Sequence, residues 1–379
     1  MTRRRPCLAL GLMSGTSLDG IDAALLRTDG ESVIEPGPAL TVPYRGALRE
    51  QMRALIDDAS PDERTVAAIA DALTRAHADA VAALLNRAGR TAEDIAVIGF
   101  HGHTIAHRPE EGWSRQIGDG AWLAAETGID VIDDFRARDL AAGGQGAPLA
   151  SLYHAARCCG LPRPLAVLNI GGVANVTYVG DGPRPALLAF DTGPGNALID
   201  DWVRKHSGAA MDEDGALAAR GTVSDAVLER LLGAAYFRQI PPKSLDRGDF
   251  DPAPVATLSP EDGAATLAAF TAAAAARAAR HFPAPARRWL VCGGGRRNPV
   301  IMAALQRELG VPVAPVEAVG WSGDALEAEA FAYLAVRALA RLPLTVPGTT
   351  GCSRPVTGGT LHPAASGRRR TAPNNLGTR

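Results

Sequence analysis

The chain has 379 residues, 46% of them apolar and 21% charged, with a formal net charge of −2. A chain of this length holds two ordinary domains, and this balance excludes a disordered or collagen-like protein. The near-zero charge supplies no basic field for nucleic acid, and no run reaches the roughly 18 apolar residues of a membrane span, so neither partner is expected.

Of 39 basic residues only Lys205 and Lys243 are lysines, which follows genome composition in an alanine-rich chain. The cysteines (Cys7, Cys158, Cys159, Cys292 and Cys352) are scattered, with no C-x-x-C and matching histidine pair, so a reduced compartment without zinc is expected. Arg3-Arg4-Arg5 precedes a short apolar run with no cleavage site after it, and the expected location is cytoplasmic.

The apolar segment Cys7 to Met13 runs into Ser14-Gly15-Thr16-Ser17-Leu18-Asp19-Gly20, and Ile21 to Leu26 follows at once. This predicts strand, tight turn, strand. Glycines let backbone N–H groups approach an anion, hydroxyls add donors, and Asp19 and Asp22 would face a metal ion bound to that anion. A polyphosphate is the natural guest; an ordinary Gly/Ser/Asp hairpin turn is the competing reading. The spacing is neither a P-loop nor a G-x-G-x-x-G fingerprint. A phosphate loop between antiparallel strands points instead to ATPases of the actin, hexokinase and Hsp70 type.

Ser60 to Arg90 predicts a long helix, and Ile95 to Phe100 a buried strand delivering His101-Gly102-His103-Thr104 at its end. Gln116 to Gly120 opens a turn, followed by a short helix and a strand from Asp130 to Ile132 that ends in Asp133-Asp134-Phe135-Arg136. Ligands of open α/β sheets gather outside strand carboxyl ends, so these polar clusters are expected to converge. Gly143 to Pro148 reads as a flexible break. Leu165 to Ile170, the turn Gly171-Gly172 and Val173 to Val179 then repeat the opening grammar, which suggests a duplicated architecture with ATP between the halves. Leu187 to Phe190 leads into Asp191-Thr192-Gly193-Pro194-Gly195-Asn196 and a helix from Ala197 to about His206. A helix from Glu261 to Phe282, a strand from Arg288 to Cys292 ending in Gly293-Gly294-Gly295, and helices Pro299 to Leu309 and Asp324 to Leu342 complete the pattern. The tail beyond Gly367 is expected to be disordered.

These segments resemble, in order, the 1,6-anhydro-N-acetylmuramic acid kinase family of bacterial cell-wall recycling. The matching pieces are Gly11 to Asp22, His101-Gly102-x-Thr104, Gln116 to Asp119, Asp134-Phe135-Arg136, Gly143 to Leu149, Leu168 to Asn175, Asp191 to Asn196, Val291 to Pro299, and Ser322-Gly323-Asp324 with Glu327. The resemblance implies a two-domain α/β fold of the actin/hexokinase/Hsp70-like (ribonuclease H-like) class. Domain I would comprise 1–142 plus about 344–366, and domain II 143–343. It also implies an activity: water opens the 1,6-anhydro ring and ATP phosphorylates O6, giving N-acetylmuramic acid 6-phosphate and ADP. A homodimer is expected on the same ground.

The resemblance assigns roles residue by residue. O6 is tied to C1, so a base has no 6-hydroxyl to deprotonate and must activate water; Asp191 is that base by resemblance, with helix capping as its competing role. Gly15, Thr16, Ser17, Leu18, Asp19, Gly20, Ile21 and Asp22 match the phosphate loop, with Mg2+ held through water by Asp19 or Asp22. Gly171 and Gly172, with Asn175, form the opposing turn, and Gly293, Gly294, Gly295 and Asn298 the nucleotide loop of the second half. A plain strand-to-helix turn is the alternative for the latter. Ser14, His101, Arg136, Gly193, Asn196 and Glu327 are the expected sugar ligands. Arg136 would pair with the lactyl carboxylate, or else salt-bridge Asp133 or Asp139. Glu327 would accept from the sugar, or else lie on a solvated helix face. His101 is placed near the substrate without a proton-transfer role. Two departures stand out: His103 replaces a family Gln, and Pro242-Lys243-Ser244-Leu245-Asp246-Arg247-Gly248 replaces Pro-Lys-Ser-Thr-Gly-Arg-Glu. They leave open a kinase of the same architecture acting on a sugar with a free hydroxyl. An ATP-driven switch like the Hsp70 nucleotide domain is a third reading, opposed by the lack of a peptide-binding domain.

Overall fold

The computed structural model describes residues 4–364 except 16, 17, 59, 184 and 247. Thr16, Ser17 and the tail 367–379 therefore lie outside the described residues. The first half contributes β1 (Cys7–Ser14), β2 (Ile21–Thr28), β3 (Ile34–Val42), β4 (Val97–Arg108), β5 (Trp113–Ile117) and β6 (Val131–Asp133). The second contributes β7 (Leu165–Ile170), β8 (Val173–Val179), β9 (Leu187–Pro194), β10 (Trp289–Cys292) and β11 (Val313–Pro315), and β12 (Thr360–His362) is the last strand among the described residues. No helix among the described residues is long and apolar enough to cross a membrane.

Both sheets are built alike. The first runs β3-β2-β1-β4-β6 with β12 beyond β6, and the second runs β9-β8-β7-β10-β11. In each, three consecutive strands pair antiparallel and the next two join parallel to the first. That duplicated order is the actin/hexokinase/Hsp70-like arrangement expected from the paired glycine-turned hairpins.

Between the sheets lies the helix Leu326–Leu339, buried along most of its length. Its apolar side chains share one core with Ala9, Leu26 and Val97 of the first sheet and Leu165, Val167 and Leu290 of the second. It rests directly on β1 and β4 because both strands are glycine at the crossing. A Cβ on Gly11 would stand 1.8 Å from the Ala328 carbonyl oxygen, and one on Gly99 2.1 Å from that of Phe331. The helix's buried acid, Glu329, is satisfied by the Tyr153 hydroxyl at 2.5 Å and by Arg157 at 3.6 Å.

The structure departs from the sequence expectation at several places. The strand expected to stop at Phe100 continues to Arg108 and folds back on β5, pairing His103 with Ile117 and Arg108 with Trp113. His101, which the sequence places at the end of a buried strand, and His103 and His107 beyond it are all buried. β3 and the helix Leu48–Asp57 were not anticipated. Pro36 and Pro38 argue for loop, but prolines are tolerated on an edge strand, and β3 is one. The stretch expected to be a flexible break is laced down instead. Asp139 accepts from Gly146 N at 2.7 Å and from the Thr350 hydroxyl at 2.7 Å, and Gln145 N donates to Thr350 O at 2.7 Å.

Candidate active site

One cleft of about 310 Å³ opens between the two halves. Gly15, Asp19 and Asp22 line one wall; Gly171, Gly172, Asn196, Gly293, Gly294 and Asn298 line the other; Glu327 closes the end toward the central helix. Turn glycines from both hairpins thus meet across one space. The wall from the second half is drawn tight by backbone bonds, Gly195 N to Gly172 O at 2.9 Å and Asn196 N to Gly171 O at 2.7 Å. At Gly293, φ is +74° and a Cβ would stand 2.4 Å from Asn169 Oδ1, so only glycine fits there. Asn298 lines the cleft while its Oδ1 caps the helix Pro299–Leu309, accepting from Val300 N at 3.0 Å and Ile301 N at 3.2 Å.

Other expected ligands sit behind this surface. Leu18 and Ile21 point into the core, leaving only their backbone to the phosphate loop. Ser14 is buried, and its hydroxyl is shared between the Tyr44 hydroxyl and His103 Nδ1, the latter at 2.8 Å. Gly193 packs with its Cα beneath Ala274, and Asn175 stands opposite Asp191 across β8 and β9.

Acid charge crowds the cleft. Burial pushes Asp22 up to about 7; the Thr41 hydroxyl, 2.5 Å away, opposes this, while Asp19, Glu327 and Asp324 add to it. Glu327 is raised by burial, against the pull of Arg136. Arg297 also lines the cleft, where it pairs with Asp324. Among the described residues no three His, Cys, Asp or Glu side chains gather as a metal cage. Asp19 and Asp22, on the same wall of the cleft, are oxygen donors of the kind that would suit Mg2+ through its waters.

Asp191 is not part of the cleft lining; it lies within β9, three residues before the strand ends at Pro194, and is buried. Its Oδ2 accepts from the Leu245 amide at 2.7 Å. Its backbone is gripped on both sides, N–H to Lys243 O at 3.0 Å and C=O by the Tyr236 hydroxyl. Burial lifts its pKa to about 7; the Leu245 amide, Arg136 and Lys243 lower it, and Asp249 raises it. The competing role of helix cap is not what it does here: its carboxylate binds a loop amide 54 positions away.

Arg136 does not line the cleft; it is buried, with its guanidinium bonded to the Gly146 carbonyl and to His101. Asp191 and Glu327 are the first two acids that act on its charge, while burial holds it down to about 10. The expected rivals for it are engaged elsewhere, Asp133 with His362 at 2.8 Å and Asp139 with the Thr345 and Thr350 hydroxyls. The divergent 245–248 loop reaches Asp191 at Leu245. It meets Asp191 through a backbone N–H, which any residue but proline supplies, and Leu245 buries its own side chain. Arg247 lies outside the described residues.

Sequence reasoning did not single out Tyr44, the Leu245 amide, or the cleft-lining group Asp200, Met211 and Asp214. None carries a local signal; each is recruited from a loop or helix by tertiary packing.

A family model for anhydro-N-acetylmuramic acid kinase matches residues 7–364. The anhydro-N-acetylmuramic acid kinase of Rhodospirillum rubrum is 61% identical over 361 residues, 94% of this chain and 95% of that one. That of Paramagnetospirillum magneticum is 56% identical over 358 residues (94% and 99%), and that of Zymomonas mobilis subsp. mobilis 47% over 363 residues (94% and 99%). Both sheets, the central helix and the whole cleft fall within the matched residues, and the chain belongs to the anhydro-N-acetylmuramic acid kinase family.

Proposed function

We propose that the protein is a cytoplasmic, ATP-dependent kinase that opens the 1,6-anhydro ring of 1,6-anhydro-N-acetylmuramic acid and phosphorylates O6, in peptidoglycan recycling. The observation that carries this reading is Asp191: a buried carboxylate with its pKa near 7, behind a cleft walled by two glycine turns. A base with its pKa close to working pH suits abstraction of a proton in the transition state. Asp191 takes a proton from the water whose oxygen attacks C1. The C1–O6 bond breaks, and O6 takes the γ-phosphoryl group as ADP leaves.

The remaining roles belong to the same proposal. Arg136 holds the lactyl carboxylate, and Glu327 and Asn196, which both line the cleft, orient the sugar. The backbone of 15–22 and the turns at Gly171-Gly172 and Gly293–Gly295 cradle the phosphates, since phosphoryl transfer asks for positioning and charge neutralisation. Asp19 and Asp22 would hold Mg2+ through its waters, and the ion would neutralise phosphate charge. The division into domain I (1–142 with about 344–366) and domain II (143–343) is supported by β12, which returns to pair with β6.

The decisive experiment supplies Mg-ATP and the anhydro sugar in oxygen-18 water. The expected product carries phosphate on O6 and the heavy oxygen at C1. Phosphorylation of a free-hydroxyl sugar with the anhydro sugar untouched would replace this reading with that of an ordinary sugar kinase. A second expectation concerns the metal. Asp22→Asn should raise the Mg2+ concentration needed for half-maximal rate roughly 10- to 100-fold, the usual cost of losing an outer-sphere metal partner. An unchanged Mg2+ titration would remove Asp22 from that role.

A further inference from the structure

We propose that His101 is a positioning residue: its Nε2 lone pair holds the Arg136 guanidinium where it serves Asp191 and Glu327 together. This rests on the function proposed above for the cleft. His101 sits on β4 and is 5% exposed. Its Nδ1 lies 3.0 Å from the Gly102 carbonyl oxygen. A carbonyl only accepts, so the ring proton is on Nδ1 and Nε2 presents a lone pair. A guanidinium only donates, so the 2.9 Å contact between Arg136 Nη2 and His101 Nε2 is an Arg-to-His hydrogen bond. The Phe331 ring of the central helix, 4.7 Å away between centroids, fixes the imidazole plane.

What distinguishes this arrangement is the neutrality of the acceptors. Arg136 Nη1 donates to the Gly146 carbonyl at 2.6 Å, Nη2 to His101, and its Nε is buried without a partner. Among the described residues no carboxylate is bonded to Arg136, and Asp133 and Asp139, the acids expected to compete for it, are taken by other partners. An acid in place of His101 would orient the fork equally well but would neutralise it. A neutral imidazole orients the guanidinium and leaves its charge for the substrate carboxylate and for Asp191. His101 is kept neutral by burial first, then by Arg136, His103 and His77, against the Gly102 bond, so its pKa lies well below the usual value for histidine.

Two variants separate hydrogen bonding from packing. His101→Phe keeps a ring against Phe331 but removes the lone pair; His101→Gln loses the ring but places an amide oxygen where Nε2 was. His101→Phe is expected to lower kcat/KM for the anhydro sugar about tenfold or more, with KM for ATP unchanged, while His101→Gln stays within about threefold of native. A second readout needs no substrate: the carbon-13 carboxyl titration of Asp191, assigned by its loss in Asp191→Asn. The groups facing that carboxylate are the Leu245 amide, Arg136, Lys243 and Asp249. With the guanidinium released, the titration should move to higher pH in His101→Phe and remain in place in His101→Gln. Equal impairment of the two variants, or an unmoved Asp191 titration in His101→Phe, would overturn the proposal. If the native protein ignores the anhydro sugar while the titrations behave as stated, the substrate assignment fails and the positioning role stands.

Discussion

Asp191→Asn is expected to remove turnover by a factor on the order of 10³ or more while leaving ATP binding within a few fold, because a general base typically supplies 10² to 10⁴. The amide keeps an oxygen for the Leu245 N–H, 2.7 Å away in the native protein, so the loop stays in place and only the basicity is lost. The native pH profile should carry the same signature. The base must be ionised, so kcat/KM for the sugar rises with pH through about 7. Stability runs the opposite way. Burial raises the folded pKa above the ordinary aspartate value of about 3.9, so the folded protein binds this proton more tightly than the unfolded chain does. The stabilisation is therefore complete below about 4 and lost as pH rises through about 7. Thermal melts of substrate-free protein should show Asp191→Asn more stable than native at pH 8, by a few degrees, with the gap narrowing toward pH 5. An inactive variant that also melts lower at pH 8 would mean that the carboxylate is structural and the base lies elsewhere.

Gly99→Val is expected to cost more in folding than any substitution in the cleft. Its Cβ would stand 2.1 Å from the Phe331 carbonyl oxygen, against 1.8 Å to the Ala328 oxygen for Gly11→Val. In each case the obstacle is helix backbone, which no rotamer change can move aside. Overpacking a core commonly costs about 1–3 kcal/mol, and a backbone-to-backbone clash belongs at or beyond the top of that range. The helix Leu326–Leu339 carries Glu327 into the cleft, so any protein that folds should also bind sugar poorly. Gly248→Ala, with open space around its Cβ, is the matched control and should melt as native does. A Gly99→Val protein with native melting temperature and activity would show that the helix does not depend on this close approach.

Much of the site is written in local pattern. Apolar runs broken by Gly15–Gly20 and by Gly171-Gly172 announce hairpins, and two such hairpins announce a duplicated sheet order, because turn chemistry acts between neighbours in the chain. Gly293, at φ +74° and hard against Asn169, is likewise visible as a glycine that nothing else could replace. The extension of β4 through His101 to Arg108 was hidden for the converse reason. Polar residues at a strand end read as loop unless one knows that β5 and the central helix will cover them.

The sequence by itself determined the duplicated α/β architecture and the two glycine-turned hairpins that meet at the cleft, since each rests on residues adjacent in the chain, while Asp191 was singled out through the family resemblance. Only the tertiary structure decided what makes that acid useful. The Leu245 amide approaches Asp191 from 54 residues away, and His101 aims Arg136 from 35 residues away. Burial, which lifts the Asp191 carboxyl toward 7, is a property of the assembled core rather than of any segment. Hydrogen-bond direction, desolvation and through-space charge depend on distances that close only when both sheets pack on one helix, and no local period encodes them.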